Sequence, residues 1–141
     1  MLRHINTENC EKCVSILDRY PGLNADLRSW FLDFRKLANE AHVSCAGRGK
    51  TEQTNAFNNH LSRSRWGESA HNYNAAIDIF EQTNDFKNIF EVKWFEETLK
   101  PFLPPWLQWF GSPDSPFYEL PHIQIRDWKN LVKQGTLKLV E

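Results

Sequence analysis

The chain has 141 residues, 40 % of them hydrophobic and 25 % charged, which is the balance of a globular protein and suits one domain over 1–141. Seventeen basic residues against eighteen acidic leave a net charge of −1, which argues against a general phosphate-backbone binder, so no nucleic-acid partner is expected. No apolar run reaches the roughly 20 residues of a membrane span. The segment from Met1 to Glu8 also lacks the apolar stretch of a secretory signal, so synthesis in the cytoplasm without membrane insertion is expected.

In chain order, residues 8–19 predict a short helix that ends at the turn dipeptide Pro21-Gly22. Asn24 is an N-cap candidate for the strongest helix, whose apolar face is Leu27, Trp30, Phe31, Phe34, Leu37, Ala38 and Ala41. His42 to Ala46 reads as a strand. After Gly47-Arg48-Gly49-Lys50, a polar surface helix runs from Thr51 to about Leu61, followed by loop composition over 62–70. Ala75 to Phe80 reads as a strand and 91–99 as a helix. Pro101, Pro104 and Pro105 then forbid a regular helix interior. Residues 111–118 read as a loop, and His122-Ile123-Gln124-Ile125 as a strand. Asp127 is the expected cap of a last helix over 128–134 that stops at Gly135. Helices segregated from a few short strands predict an α+β domain with a short, mostly antiparallel sheet.

Cys10, Cys13 and Cys45 make an odd count in a chain with no secretory signal, so no disulfide framework is expected. Cys10-x-x-Cys13 is half of a zinc-ribbon spacing without its second half, and the pair reads as small, partly buried apolar residues. His4, His42 and His60 have no motif context and read as ordinary residues.

The chemistry-bearing anomaly is Asp78, inside the apolar strand Ala75-Ala76-Ile77-Asp78-Ile79-Phe80, where an ionised carboxylate is costly unless paired or metal-bound. Strand alternation puts Ala76 and Asp78 on one face and Ile77 and Ile79 on the other. In the same way His122 and Gln124 share a face opposite Ile123 and Ile125. Two such strands lying antiparallel would aim Asp78 and His122 at one spot above buried isoleucines. His71 lies seven residues before Asp78. Two histidines, a carboxylate and an open fourth position form a catalytic zinc set. Glu119, held near His122 by Pro121, is the candidate general base. Each of these residues read alone could instead be a satisfied core or edge residue.

Ser69-Ala70-His71-Asn72-Tyr73-Asn74-Ala75-Ala76-Ile77-Asp78 resembles the S-x-H-x-x-G-x-A-x-D signature of the zinc D-alanyl-D-alanine carboxypeptidase and L-alanyl-D-glutamate endopeptidase family. Glu119-Leu120-Pro121-His122-Ile123-Gln124 is similar to its acidic-x-P-H-hydrophobic-Q/E signature. Gly47-Arg48, with Gln53 beyond, resembles its G-x-R-(S/T)-x-x-x-Q element. Together the three elements frame residues 45–125. The resemblance implies a zinc peptidase acting on peptidoglycan stem peptides. His71, Asp78 and His122 would hold Zn2+, and Glu119 would be base and then acid. Arg48 would stabilise charge on the scissile carbonyl or anchor a substrate carboxylate. Gln53 and Ser69 would line or support the substrate pocket. Asn74 stands where the signature has glycine, and it tolerates the left-handed conformation better than most residues. In the arginine element Arg48 follows Gly47 directly, and Gly49 replaces the Ser/Thr.

The size of the chain is similar to that of single-domain phage endolysins. Such enzymes are made in the host cytoplasm and reach the wall when a holin permeabilises the inner membrane, and a monomer is expected. The L-alanyl-D-glutamate bond is the expected target. A D-alanyl-D-alanine carboxypeptidase or dipeptidase is the alternative within the family, and a non-catalytic zinc-binding wall-recognition module the alternative outside it. Trp94, Phe95, Phe102, Trp106, Trp109 and Phe110 read mainly as core, with Trp106 or Trp109 as a candidate cleft rim. Arg48, Lys50, Arg63 and Arg65 give a local positive balance suited to substrate carboxylates.

Overall fold

The computed structural model describes residues 2–112, 115 and 118–140. Its elements are α1 (Glu11–Asp18), α2 (Ala25–Leu37), β1 (Ala41–Cys45), α3 (Lys50–Asn58), a 3-10 turn (Ala70–Tyr73), β2 (Ala76–Gln82) and β3 (Asn88–Ile89). There follow α4 (Val92–Trp94), running into a π-helical turn (Phe95–Leu99) and a 3-10 turn (Lys100–Phe102), then β4 (Leu107–Trp109), β5 (His122–Ile125) and α5 (Trp128–Lys133). All strand pairs are antiparallel, in the order β1-β2-β5-β4, with β3 pairing the far end of β2. The α+β class expected from the sequence is the one observed.

The core sits where the apolar strand face meets α1 and α2. Ile77, Ile79, Ile123 and Ile125 are buried in one cluster with Leu17, Leu27, Phe31 and Phe34. Burying such side chains is worth about 1.5–3 kcal/mol each, so the register of β2 and β5 is set by their apolar face. Asn24 caps α2, its Oδ1 accepting from the Leu27 N–H at 3.0 Å.

The structure differs from the sequence reading at several points. The helix expected to reach Ala41 ends at Leu37, and Leu37 itself is exposed. Here side chains take over from the helical ladder: Asn39 Nδ2 donates to the Arg35 carbonyl, and Arg35 donates to the carbonyls of Asn39 and Ala41. Asp127 does not cap α5 with its side chain, because its Oδ1 accepts instead from Asn130 Nδ2 at 2.6 Å. The strand β4 was not expected after Pro104-Pro105. The loop expected over 111–118 falls partly outside the described residues. Among the described residues no helix is long and apolar enough to cross a membrane.

Candidate functional site

Asp78 lies at the centre of a row that crosses three strands. Its Cα partner on β5 is His122, and on β1 it is Cys45, brought into register by an irregularity between Val43 and Cys45. The isoleucines alongside face the core, so the alternation that buries them raises Asp78 and His122 onto the opposite face. His71 arrives from the 3-10 turn. Ser69 caps that turn, its Oγ accepting from the His71 N–H at 3.2 Å. The turn leads into β2 through Asn74, which is left-handed at φ 60° and ψ 33°, as its place in the signature predicts. Asn74 is fixed there by a bond from its Nδ2 to the Lys138 carbonyl.

These placements bring three donors together. His71 Nε2 and His122 Nδ1 each lie 3.2 Å from the same oxygen, Asp78 Oδ1. His71 is 2 % exposed and the Asp78 side chain 15 %, so the cluster is sheltered but reachable. Burial alone would raise the Asp78 pKa, but the two imidazoles outweigh it and hold the carboxyl well below the usual carboxylate range. Burial likewise opposes charge on His71, but the Asp78 carboxylate pushes its pKa up to about 10.

The two edges that meet at Asp78 Oδ1, each 3.2 Å, are close to those of a zinc site. Tetrahedral Zn2+ with bonds of ~2.0–2.2 Å spans donor–donor edges of ~3.3–3.5 Å. The ring orientation agrees as well. His122 Nε2 lies 2.9 Å from Gln124 Oε1, which holds the ring with Nδ1 facing Asp78 Oδ1. Cys45 Sγ is within 4.8 Å of a ligand atom of both His71 and Asp78. It faces His71 Nδ1 at 3.9 Å, behind the ring nitrogen that meets Asp78, so it backs the imidazole rather than completing the set.

Glu119 stands beside this group, its Oε2 3.7 Å from His122 Nδ1 and its side chain 39 % exposed. Its position comes from the backbone, since Glu119 N–H donates to the Phe110 carbonyl and the Glu119 carbonyl accepts from His122 N–H. Trp109 Nε1 donates to the next carbonyl, that of Leu120, at 2.7 Å. A side chain on Gly111 would meet the Trp109 indole at 2.1 Å, so only glycine lets the chain turn there.

Arg48 also reaches the group, with its Nη2 3.8 Å from Asp78 Oδ2, the oxygen turned away from the imidazoles. Two backbone contacts tie it down: Arg48 N–H donates to the His71 carbonyl, and the Arg48 carbonyl accepts from Asn72 Nδ2. Gly47 is needed because a Cβ there would stand 2.6 Å from the Tyr20 ring. Gln53 supports the site rather than lining it. Its buried amide donates to Ser62 Oγ and the Ser64 carbonyl and accepts from Asn72 Nδ2. Ser69 does line the cavity.

That cavity has a volume of about 190 Å³ and is walled by Arg48, His71, Phe110, Glu119, His122 and Trp128, with Arg63, Lys129 and Glu68 adding charge of both signs. Neither tryptophan considered as a rim contributes. Trp109 is buried in the core, and Trp106 lines a larger hollow of about 1000 Å³ with Trp30 and Pro105 that holds none of the three donors. Sequence reasoning missed the aromatic wall of Phe110 and Trp128. It also missed Asn72, a fully buried amide that binds Arg48, Gln53 and the Ser69 turn.

No protein-family profile matches the chain, and no curated protein matches it in sequence. Solved structures do match. The chain superposes on the crystal structure of the L-Ala D-Glu endopeptidase ChiX of Serratia marcescens with a TM-score of 0.65 and 14 % identity, covering 84 % of this chain and 91 % of that one. A second match is the LdcB LD-carboxypeptidase, whose structure is described as revealing the molecular basis of peptidoglycan recognition. Here the TM-score is 0.51 and the identity 18 %, over 84 % of this chain and 74 % of that one. The fold of this chain is thus one that it shares with an L-Ala D-Glu endopeptidase and an LD-carboxypeptidase.

Proposed function

We infer that the chain is a zinc-dependent peptidoglycan peptidase, with 1–141 as one catalytic unit acting as a monomer on stem peptides and the L-alanyl-D-glutamate bond as its target. The observation that carries this reading is the convergence of His71 Nε2 and His122 Nδ1 on Asp78 Oδ1, beside Glu119 in a cavity open to solvent. The shared fold with an L-Ala D-Glu endopeptidase supports the choice of bond.

His71, Asp78 and His122 would hold the ion. Bound there, zinc supplies a Lewis acid for the scissile carbonyl and an acidified water. Glu119 takes the proton of the attacking water at Oε2 and then delivers it to the leaving nitrogen. Gln124 keeps the His122 ring turned so that Nδ1 faces Asp78. Arg48 directs a guanidinium into the cavity, where it meets either the developing charge on the carbonyl or a carboxylate of the stem peptide. Phe110 and Trp128 wall off water on one side.

Digestion of purified peptidoglycan followed by mass spectrometry tests the reading. New N-terminal D-glutamate is the expected product, and loss of terminal D-alanine would instead establish a carboxypeptidase. Chelator should abolish release and zinc restore it, and release that survives full metal removal would overturn the zinc reading. The phage-lytic setting expected from the sequence belongs to the same proposal. Cells expressing the protein in the cytoplasm should lyse only once a holin or solvent permeabilises the inner membrane.

A further inference from the structure

A second group of donors lies away from the cavity, in the layer formed by the N-terminal segment, α1 and β1. Cys13 Sγ is 3.3 Å from His4 Nδ1 and 3.3 Å from His42 Nδ1, and Cys10 Sγ is 3.5 Å from His4 Nδ1. One ligand atom from each of His4, Cys10, Cys13 and His42 lies within 4.8 Å of every other. We propose that these four side chains hold a second, structural Zn2+ ion that clamps the N-terminal segment and α1 onto β1.

The distances suit that ion. With Zn–S of ~2.3 Å and Zn–N of ~2.0–2.1 Å, a tetrahedral site has S–N edges of ~3.5 Å. Two sulfurs and two imidazole nitrogens in a tetrahedral set select zinc over the harder divalent cations. Four protein donors leave no position for water, so this ion is closed and does no chemistry of its own. The burial agrees: His42 is 0 % exposed, Cys13 1 % and Cys10 2 %.

The surroundings orient the ligands as a metal site requires. Asn6 Oδ1 accepts from His42 Nε2 at 2.7 Å, which leaves Nδ1 with its lone pair towards Cys13. The Asn6 amide is itself fixed, because its Nδ2 donates to the Gln82 carbonyl on β2. Cys10 is the N-cap of α1, and its sulfur accepts from the Cys13 backbone N–H at 3.4 Å. His4 packs its ring against His42 and edge-on to Phe80. Arg35, buried beneath, donates to the carbonyls of Ile5, Thr7 and Glu8, curving the N-terminal segment around the cluster. The Cys-x-x-Cys half-motif therefore does have a second half, and it is supplied by His4 before α1 and by His42 on β1.

Zinc and cobalt are the probes. Protein purified with zinc should hold one ion per chain that persists in His122→Ala. Cobalt loaded in its place should show the thiolate charge-transfer band and the intense visible bands of a tetrahedral ion. In the His122→Ala background both should remain in Cys45→Ser and vanish in Cys13→Ser. Should Cys13→Ser fail to fold, the spectrum of the Cys45→Ser protein decides alone. A cobalt spectrum without a thiolate band overturns the proposal. So does loss of all metal in His122→Ala, or a Cys10–Cys13 disulfide found by mass spectrometry in the purified protein. A chain that keeps this ion yet releases nothing from peptidoglycan would sink the proposed activity and leave the structural site standing.

Discussion

Asp78 and His122 are direct cross-strand partners on β2 and β5, and a single oxygen of Asp78 lies 3.2 Å from His122 Nδ1 and equally far from His71 Nε2. The pairing register that buries the isoleucines is therefore the same one that assembles the donors. Any slip of one residue would turn both sets over together.

Glu119 should separate metal binding from catalysis. It stands beside the donors without sharing their common point, so Glu119→Ala should keep its zinc by elemental analysis. Loss of the proposed base should lower the rate by about 10²–10⁴-fold. A rate within a few-fold of wild type would reassign the base.

Arg48→Ala distinguishes two uses of the guanidinium. If Arg48 meets the carbonyl oxygen as charge develops, kcat should fall by the equivalent of roughly 2.7–4 kcal/mol, with KM little changed. If it anchors a substrate carboxylate in ground and transition states alike, KM should rise and kcat hold. The first outcome is expected, because Arg48 reaches the donors themselves. Steady-state kinetics on a defined stem peptide, with zinc content measured in parallel, separate the two.

Asn74 tests the turn that delivers His71. Its left-handed backbone costs an L-residue about 1–2 kcal/mol, and its amide bond to Lys138 offsets part of that. Asn74→Ala should lower stability by about 1–2 kcal/mol in denaturant unfolding, whereas Asn74→Gly should cost less. Equal losses in both variants would mean that the amide bond, rather than the backbone angle, sets the requirement.

Glu81 gives a pH signature. Burial first, then the neighbouring carboxylates of Glu40 and Glu91, raise its pKa above the ordinary 4.5. A carboxyl that holds its proton more tightly when folded loses stability as pH rises through 4.5 and above. Glu81→Gln should therefore raise the Tm at pH 7 and leave it unchanged near pH 3, where the carboxyl is protonated in both states. The gain should stay within about 0.5 kcal/mol, as for a partly exposed group. A lower Tm at pH 7 would contradict the repulsion.

The sequence was most legible where a polar residue interrupts an apolar alternation. Asp78 and His122 stood out for that reason, and the structure pairs them. Arg48 was harder to read because its place depends on backbone bonds to His71 and Asn72, and Asn72 gives no local signal of its burial. The pair formed by Trp109 and Gly111 was invisible for the same reason, being a contact between backbone and indole. His4 and His42 have no motif because their meeting with Cys10 and Cys13 requires the N-terminal segment to fold back on β1. The three-residue strand β4 follows two prolines, too short for its period to register.

The donors of the cavity also differ in when they can meet. His71 and Asp78 are separated by seven positions, and one turn joins them, whereas His122 is 44 positions beyond Asp78. Closing the longer loop costs more entropy and must await the docking of β5 on β2. The donor set is thus complete only once the β2–β5 pairing is made. An ion held by all three donors should therefore stabilise the finished sheet and slow its unfolding, and leave the rate of the chain's first collapse unchanged.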